Sequence, residues 1–249
     1  MKPSLVFVWI FILTASALFA QPGNLTLYLF GSASLPNSDF GKDIGNDAKI
    51  TRRSGFDIGD KVGLANTGFG GGVELFSPVW FKGLHWVLST RVFVNGTEEA
   101  AVRSKFRALL GDSVDVEFEF GQWINIPIMT GFRYDFQLMN NFKFYGILQA
   151  GVNWSKAASR KATLGDLTVE DTSFDFARDF GFEFGLGLVL RQRYNVGFRY
   201  LSLSSPRYAG TRKLSEKMFP EIFSRETAIL GEERSISTFV VTVGVQLSK

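Results

Sequence analysis

The residues of this sequence that could most clearly take part in chemistry are charged side chains inside apolar, Gly-rich segments. Glu74 and Arg91 lie in two neighbouring segments of this kind, and Glu183 and Arg199 lie in two others. Opposite charges placed in this way can neutralise one another in a narrow interior, or they can gate a path for ions. Because an unpaired charge is costly to bury, we expect a paired network. The predicted network comprises Glu74, Arg91, Arg133, Asp135, Asp179, Glu183 and Arg199.

Catalytic chemistry has little support in the sequence. The chain has a single histidine, His85, and no cysteine. His85 lies at the start of its segment beside a short connection, and no Ser/His/Asp arrangement forms around it. We therefore expect a non-enzymatic protein without a catalytic, cofactor-binding or metal site. A nucleic-acid partner is not expected either, because no basic run with interleaved aromatic residues occurs.

The N-terminus is typical of a secretory signal peptide. Lys2 provides the positive start, Leu5–Leu13 is an apolar core, and small residues follow. Cleavage after Ala17 or after Ala20 fits this pattern. We predict a signal peptide over residues 1–20, Sec-dependent export, and one domain over residues 21–249.

The charged residues must be positioned by eight segments in which apolar and polar residues alternate. Such alternation is typical of β-strands, whose successive side chains point to opposite faces. The connections alternate long and short, which predicts an up-and-down antiparallel barrel with short turns at one end. The predicted strands are 25–33, 69–80, 84–95, 122–136, 142–154, 176–191, 194–204 and 236–247.

Each predicted strand has one apolar face and one mixed face. In the sixth strand, Phe180, Phe182 and Phe184 alternate with a face that carries Gly181 and Glu183. A soluble barrel would enclose the apolar face, whereas a membrane barrel turns it toward lipid and fills its lumen with the mixed face. The mixed faces are rich in Gly and carry few, sign-balanced charges, which favours the membrane barrel. A soluble secreted barrel that binds an apolar ligand is the more distant alternative.

Three segments carry a resemblance to a known family. They are Phe69–Leu75, Ile126–Tyr134 and Phe180–Gly187. On these patterns the chain resembles the OmpA/OmpX-like family of eight-stranded outer-membrane β-barrels, although it ends in Gln246-Leu247-Ser248-Lys249 where such barrels usually end on an aromatic residue. The resemblance implies an all-β monomer in the outer membrane of a Gram-negative-type bacterium, with short periplasmic turns and long extracellular loops. It implies no cofactor. The implied partners are outer-membrane lipid and lipopolysaccharide, together with periplasmic chaperones and the barrel-assembly machinery during biogenesis.

One long connection contains a candidate contact surface for an extracellular partner. Its apolar residues keep the alternation of the strand that follows, which predicts a strand extension and an exposed sheet edge. The candidate residues are Val114, Val116, Phe118 and Phe120. The predicted function is a non-enzymatic outer-membrane barrel with a structural or adhesin-like surface-interaction role and a lumen plugged by paired charges. The alternative is a narrow, gated, porin-like channel for ions or small solutes.

Overall fold

The computed structural model describes residues 25–41, 49–51, 55–57, 63–79, 81–110, 116–164, 167–218 and 221–247. The predicted signal peptide lies outside these ranges. One helix, α1 (Glu99–Leu110), and a short 3-10 turn (Ser38–Phe40) accompany the strands in the described part of the chain. No helix in those ranges is long and apolar enough to span a membrane. The strands are β1 (Thr26–Asn37), β2 (Lys49–Thr51), β3 (Gly55–Asp57), β4 (Ala65–Pro78), β5 (Leu84–Thr97), β6 (Val116–Phe120), β7 (Trp123–Met139), β8 (Phe142–Lys156), β9 (Arg160–Leu164), β10 (Leu167–Phe174), β11 (Phe176–Leu190), β12 (Tyr194–Ser202), β13 (Arg207–Met218), β14 (Glu221–Glu233) and β15 (Ser237–Gln246).

Eight of the strands close into an antiparallel barrel. Their order around it is β1-β15-β12-β11-β8-β7-β5-β4, so barrel strands that follow one another along the chain are neighbours and β1 pairs with β15 to close the ring. A closed ring leaves no barrel strand with an unpaired edge. The predicted all-β, eight-stranded up-and-down barrel is confirmed, and the predicted strands coincide with the observed ones apart from their ends.

The two faces of the barrel strands differ as the alternation predicts. Apolar side chains are exposed on the outer face of every barrel strand, for example Leu29 on β1, Phe132 on β7 and Phe198 on β12. Polar and charged side chains of the other face are buried in the lumen. This arrangement is the reverse of a soluble barrel, which encloses its apolar face.

Glycines make room for the largest side chains in the lumen. A Cβ on Gly187 or on Gly197 would lie 2.4 Å from the hydroxyl oxygen of Tyr145. A Cβ on Gly185 would lie 2.7 Å from Cγ of Arg199. The interior of an eight-stranded barrel is just wide enough for side chains to fill it. The strands that face Tyr145 and Arg199 therefore need positions without a side chain.

The long connections build a second sheet beyond one end of the barrel. It has five strands in the order β14-β13-β10-β9-β6. The helix α1 packs on it, and Val102 and Phe106 of the helix lie in one apolar cluster with Phe118 and Ala162 of the sheet. The predicted outward extension of the fourth barrel strand is interrupted at Gly121, and the residues before it form β6, which pairs with β9.

We expect the substitution Gly187→Ala to lower the free energy of unfolding by about 1–3 kcal/mol, the usual range for overpacking a filled interior. The reason is the approach of the added Cβ to Tyr145. Gly31→Ala is the matched control, because a Cβ on Gly31 would meet no atom within 4 Å. Urea unfolding of the refolded barrel in lipid vesicles measures both variants. Equal losses of stability would contradict the tight fit around Tyr145.

Candidate functional site in the barrel lumen

Four buried charges meet in the lumen: Glu74 of β4, Arg91 of β5, Glu183 of β11 and Arg199 of β12, each at most 1% exposed. Arg199 donates from Nη2 to Oε2 of Glu74 over 3.0 Å and from Nη1 to Oε1 of Glu183 over 2.8 Å. Its Nη1 also contacts Oε1 of Glu74. Nη2 of Arg91 lies 2.7 Å from Oε2 of Glu183 and 3.6 Å from Oε1 of Glu74. Each carboxylate therefore contacts both guanidinium groups.

These four residues, called the four-charge network below, join opposite walls of the barrel. In the ring, β1 and β15 separate β4 from β12, while β7 and β8 separate β5 from β11. The ion pairs between the β4–β5 hairpin and the β11–β12 hairpin therefore cross the lumen. Two positive and two negative groups cancel, and the ring of Phe30 lies 5.3 Å from Cζ of Arg91 and 5.8 Å from Cζ of Arg199. Aromatic faces attract such cations.

A second charged group lies nearer to the short turns. Arg133 donates from Nε to Oδ1 of Asp135 over 2.6 Å, and Nε2 of His85 lies 3.7 Å from Oδ2 of Asp135. The Arg133 guanidinium is 3.8 Å from the ring centre of Tyr145. Among the described residues, no ion pair connects this group to the four-charge network. The predicted single network is thus divided into two levels.

Asp179 belongs to neither level. Its carboxylate accepts hydrogen bonds from the backbone N–H of Phe180, at 2.8 Å, and of Ser205, at 3.2 Å. Asp179 lies near the start of β11, at the end of the barrel where the long connections begin. This position corrects its assignment to the network, because the carboxylate is too close to the end of the strand and instead holds the chain that leaves β12.

An apolar layer lies in the lumen between the four-charge network and the short turns, and the Arg133 guanidinium packs on its Phe76 and Tyr145 rings. The edge of the Tyr28 ring meets the Phe76 ring at 5.2 Å between centroids. The hydroxyl of Tyr145 donates to Oδ1 of Asn195 over 2.8 Å, so its polar end is satisfied. This lower layer consists of Tyr28, Phe76, Val87, Tyr145, Ile147 and Val189.

A second apolar layer lies in the lumen at the end of the long connections. Trp123 donates from Nε1 to the carbonyl oxygen of Gly63 over 3.0 Å, and its ring meets Phe40 at 5.3 Å and Tyr208 at 6.0 Å. The hydroxyl of Tyr208 lies 2.6 Å from Oγ of Ser155. Burial raises the pKa of the Tyr208 hydroxyl. Apolar layers therefore lie on both sides of the four-charge network.

Below the lower layer, a cavity of about 860 Å³ opens at the end with the short turns. We call it the vestibule. Neither the cavity nor the contribution of Arg193 was predicted from the sequence. A signal was present: the turn after β11 contains two arginines and neither Gly nor Asn. The charged or titratable residues that line the vestibule are Tyr28, His85, Arg133, Asp135, Lys143, Arg191 and Arg193.

The predicted interaction edge coincides with β6, an edge strand of the five-stranded sheet. Phe118 is only 4% exposed and stacks on Phe106 of α1, with the ring centroids 5.3 Å apart. Phe120 is half-buried beside it. Val114 and the side chain of Val116 lie outside the described part of the chain. The two described aromatic residues therefore pack the helix against the sheet and are not free for a partner.

The opposite edge of this sheet is far more exposed. Among the described strands, β14 pairs with β13 alone, and residues 224–228 are all exposed. Leu230 has 90% of its surface exposed. Strands with an unpaired backbone edge can accept a further strand. The hairpin β13–β14 is therefore the accessible edge of the sheet, on the side away from the predicted one.

The covered face of the sheet also contains buried charges. Nη2 of Arg160 lies 3.8 Å and Nε of Arg212 lies 3.7 Å from Oε1 of Glu170. Burial lowers the pKa of Arg160, and the nearby Glu170 carboxylate opposes that shift. In the described ranges, no three His, Asp or Glu side chains are placed to hold a metal ion.

No family model matches the chain, and no curated protein matches it. Several solved structures are similar in shape. The Neisserial surface protein A is 11% identical, with 90% of this chain and 97% of that chain covered and a TM-score of 0.39. The attachment invasion locus protein Ail of Yersinia pestis is 10% identical, with 91% and 100% covered and a TM-score of 0.40. The outer membrane protein OprG of Pseudomonas aeruginosa is 9% identical, with 91% and 97% covered and a TM-score of 0.40. These scores describe a likeness only.

Substitution Glu183→Gln should destabilise the barrel by about 3–5 kcal/mol, because it leaves two buried guanidinium groups with one carboxylate between them. Glu119→Gln is the matched control: Glu119 pairs with Lys161 at 3.2 Å, but both side chains are largely exposed. An exposed pair of this kind contributes about 0.2–1 kcal/mol. Denaturant unfolding in lipid vesicles measures the difference. A loss for Glu183→Gln no larger than the control's would contradict the network's structural role.

Proposed function

We propose that this chain is a non-enzymatic, integral outer-membrane barrel of the OmpA/OmpX-like type, with a closed lumen and a structural or adhesin-like surface role. The observation that carries the proposal is the four-charge network between two apolar layers, inside a barrel with an apolar exterior. The predicted partners remain part of this proposal: membrane lipid, lipopolysaccharide, the assembly machinery during biogenesis, and an extracellular partner of the loops.

The exterior supports a location in a lipid bilayer. Exposed side chains such as Phe69, Leu148 and Val243, with 71%, 64% and 60% of their surface accessible, would be unfavourable in water. The short-turn end also carries exposed aromatic residues, as expected for an interfacial girdle. They are Phe81, Tyr134, Phe136, Phe142 and Tyr194. The outer membrane is the compartment in which closed β-barrels of this kind span a bilayer.

The interior supports a plug. The distances within the four-charge network allow little space between the guanidinium and carboxylate groups, and these groups neutralise each other. An ion that crossed the barrel would have to separate these pairs and also pass both apolar layers. The low dielectric of the interior makes the separation costly. A closed lumen therefore fits these contacts better than an open pore.

The five-stranded sheet supports a surface role. It stands beyond the barrel at the end of the long connections, and its edge hairpin β13–β14 is exposed. Residues in such loops are positioned by the rigid barrel and are free to meet other molecules. The alternative function, a narrow gated channel, is favoured by one observation: the vestibule already opens half of a path through the barrel.

Cysteine labelling tests the proposed orientation. The sequence contains no native cysteine, so only the introduced cysteine can be labelled. Leu230→Cys lies on the exposed hairpin, and Gln192→Cys lies in a short turn at the other end. In intact cells, a membrane-impermeant maleimide should label the cysteine at 230 and should label the one at 192 only after the outer membrane is permeabilised. The reverse pattern would contradict the orientation, and equal labelling of both in intact cells would contradict membrane insertion.

Planar-bilayer recordings test the closed lumen. The purified, refolded chain should produce no steady channels, because the four-charge network and the apolar layers leave no continuous path. Heat-modifiable gel migration on the same sample verifies that the barrel is folded. Steady, reproducible channels that Glu74→Ala abolishes would overturn the plug and establish the gated-channel alternative.

A further inference from the structure

The vestibule has a charge imbalance that the closed lumen does not require. Among the described residues, its lining contains Arg133, Lys143, Arg191 and Arg193 but only one carboxylate, that of Asp135. Asp135 is already engaged by Arg133 at 2.6 Å and by His85 at 3.7 Å. Three cations therefore remain around the cavity with no carboxylate available to them from its walls.

These three cations are unpaired in the described part of the chain. Lys143, Arg191 and Arg193 have no carboxylate within 4.0 Å among the described residues. They also lie close together, since Lys143 of β8 pairs with Val189 of β11 just before the turn that holds both arginines. Like charges gathered at the mouth of a concave, partly enclosed space focus the electrostatic potential there.

The buried wall of the vestibule adds an unsatisfied donor. Arg133 is 2% exposed, and its Nη1 has no hydrogen-bond partner among the described residues. Buried polar groups are normally hydrogen-bonded, whereas this guanidinium packs on the rings of Phe76 and Tyr145 at the inner wall of the cavity. Arginine forks match the oxygen geometry of phosphate and carboxylate groups.

The turn that holds the two rim arginines is built at a conformational cost. Arg191 and Gln192 have φ angles of 51° and 55°, in the left-handed region that favours Gly and Asn. A turn selected only for its geometry would use those residues. The chain instead has long, hydrogen-bonding side chains at both positions, and both line the vestibule.

We propose that the vestibule binds a phosphate-bearing anion, which Lys143, Arg191 and Arg193 hold at the rim and Arg133 contacts from the wall. A cavity of about 860 Å³ has room for more than one phosphate group. The lower apolar layer closes its inner end, so the ligand is held and not conducted. The phosphate can belong to a soluble molecule or to a lipid headgroup at the membrane surface. Binding at this cavity goes beyond the proposed function.

Isothermal titration of the full refolded chain with sodium tripolyphosphate tests the site. In neutral detergent micelles at low salt, we expect saturable binding with one tripolyphosphate per chain. The double substitution Arg191→Gln with Arg193→Gln should weaken the affinity at least tenfold. Arg178→Gln with Arg225→Gln is the matched control, because it removes the same charge from exposed positions on β11 and β14. The control should bind like the unaltered chain.

In the micelle titrations, three results would overturn the proposal: no saturable binding, equal weakening by both double substitutions, or full affinity in the Arg191/Arg193 variant. Heat-modifiable migration verifies folding, and Lys143→Gln serves as a second variant if the altered turn fails to fold. These titrations do not depend on conductance, so they fail independently of the closed lumen.

Nanodiscs distinguish the two sources of the phosphate. In discs of phosphatidylcholine, tripolyphosphate should bind as it does in micelles. If binding persists after phosphatidylglycerol is added, the site serves a soluble anion. If phosphatidylglycerol displaces tripolyphosphate from the unaltered chain, the site serves a lipid headgroup. Loss of tripolyphosphate binding in phosphatidylcholine discs would contradict a soluble anion as the occupant, because phosphatidylcholine also presents a phosphate that can fill the site.

Discussion

The requirement that buried charges cancel inside a narrow lumen governs this structure more than any other constraint. Glu74 and Glu183 each contact both Arg91 and Arg199, and the contacts cross from one wall of the barrel to the other. Such a network is favourable only if all of its members are present and correctly placed. The strand registers must therefore bring four particular positions to one height, because a one-residue shift of any of these four strands would turn its charge toward the outside.

The glycines of the lumen provide the space that the large side chains of the lumen need. Gly185 lies where a side chain would collide with Arg199, and Gly187 and Gly197 leave space for Tyr145. Tyr145 in turn supports Arg133 through its ring and belongs to the layer that separates the network from the vestibule. Large and small residues thus form one packed unit. The composition of the mixed faces reflects the shape of the interior as much as its polarity.

The barrel was predictable from the sequence because its rules are local. A period of two and the lengths of the connections are sufficient to place eight strands and to assign Glu74 and Arg91 to adjacent ones. The second sheet was not predictable in the same way, since β6, β9, β10, β13 and β14 come from different connections and pair over long separations. The alternation alone also predicted that Asp179 belongs to the charge network of the lumen. Because Asp179 lies near the start of β11, its carboxylate accepts hydrogen bonds from backbone N–H groups and not from the network.

The two ends of the molecule use aromatic and charged residues differently. At the end of the long connections, Trp123 and Tyr208 fill the barrel, and the buried Arg160 has Glu170 nearby. At the short-turn end, arginines surround a cavity in which the one carboxylate of the described lining, that of Asp135, already pairs with Arg133. A protein that needed only a plug would gain nothing from unneutralised charge beside it, since like charges repel and the turn that holds them is conformationally costly. The charge imbalance at this end is therefore a feature that closure of the lumen does not explain.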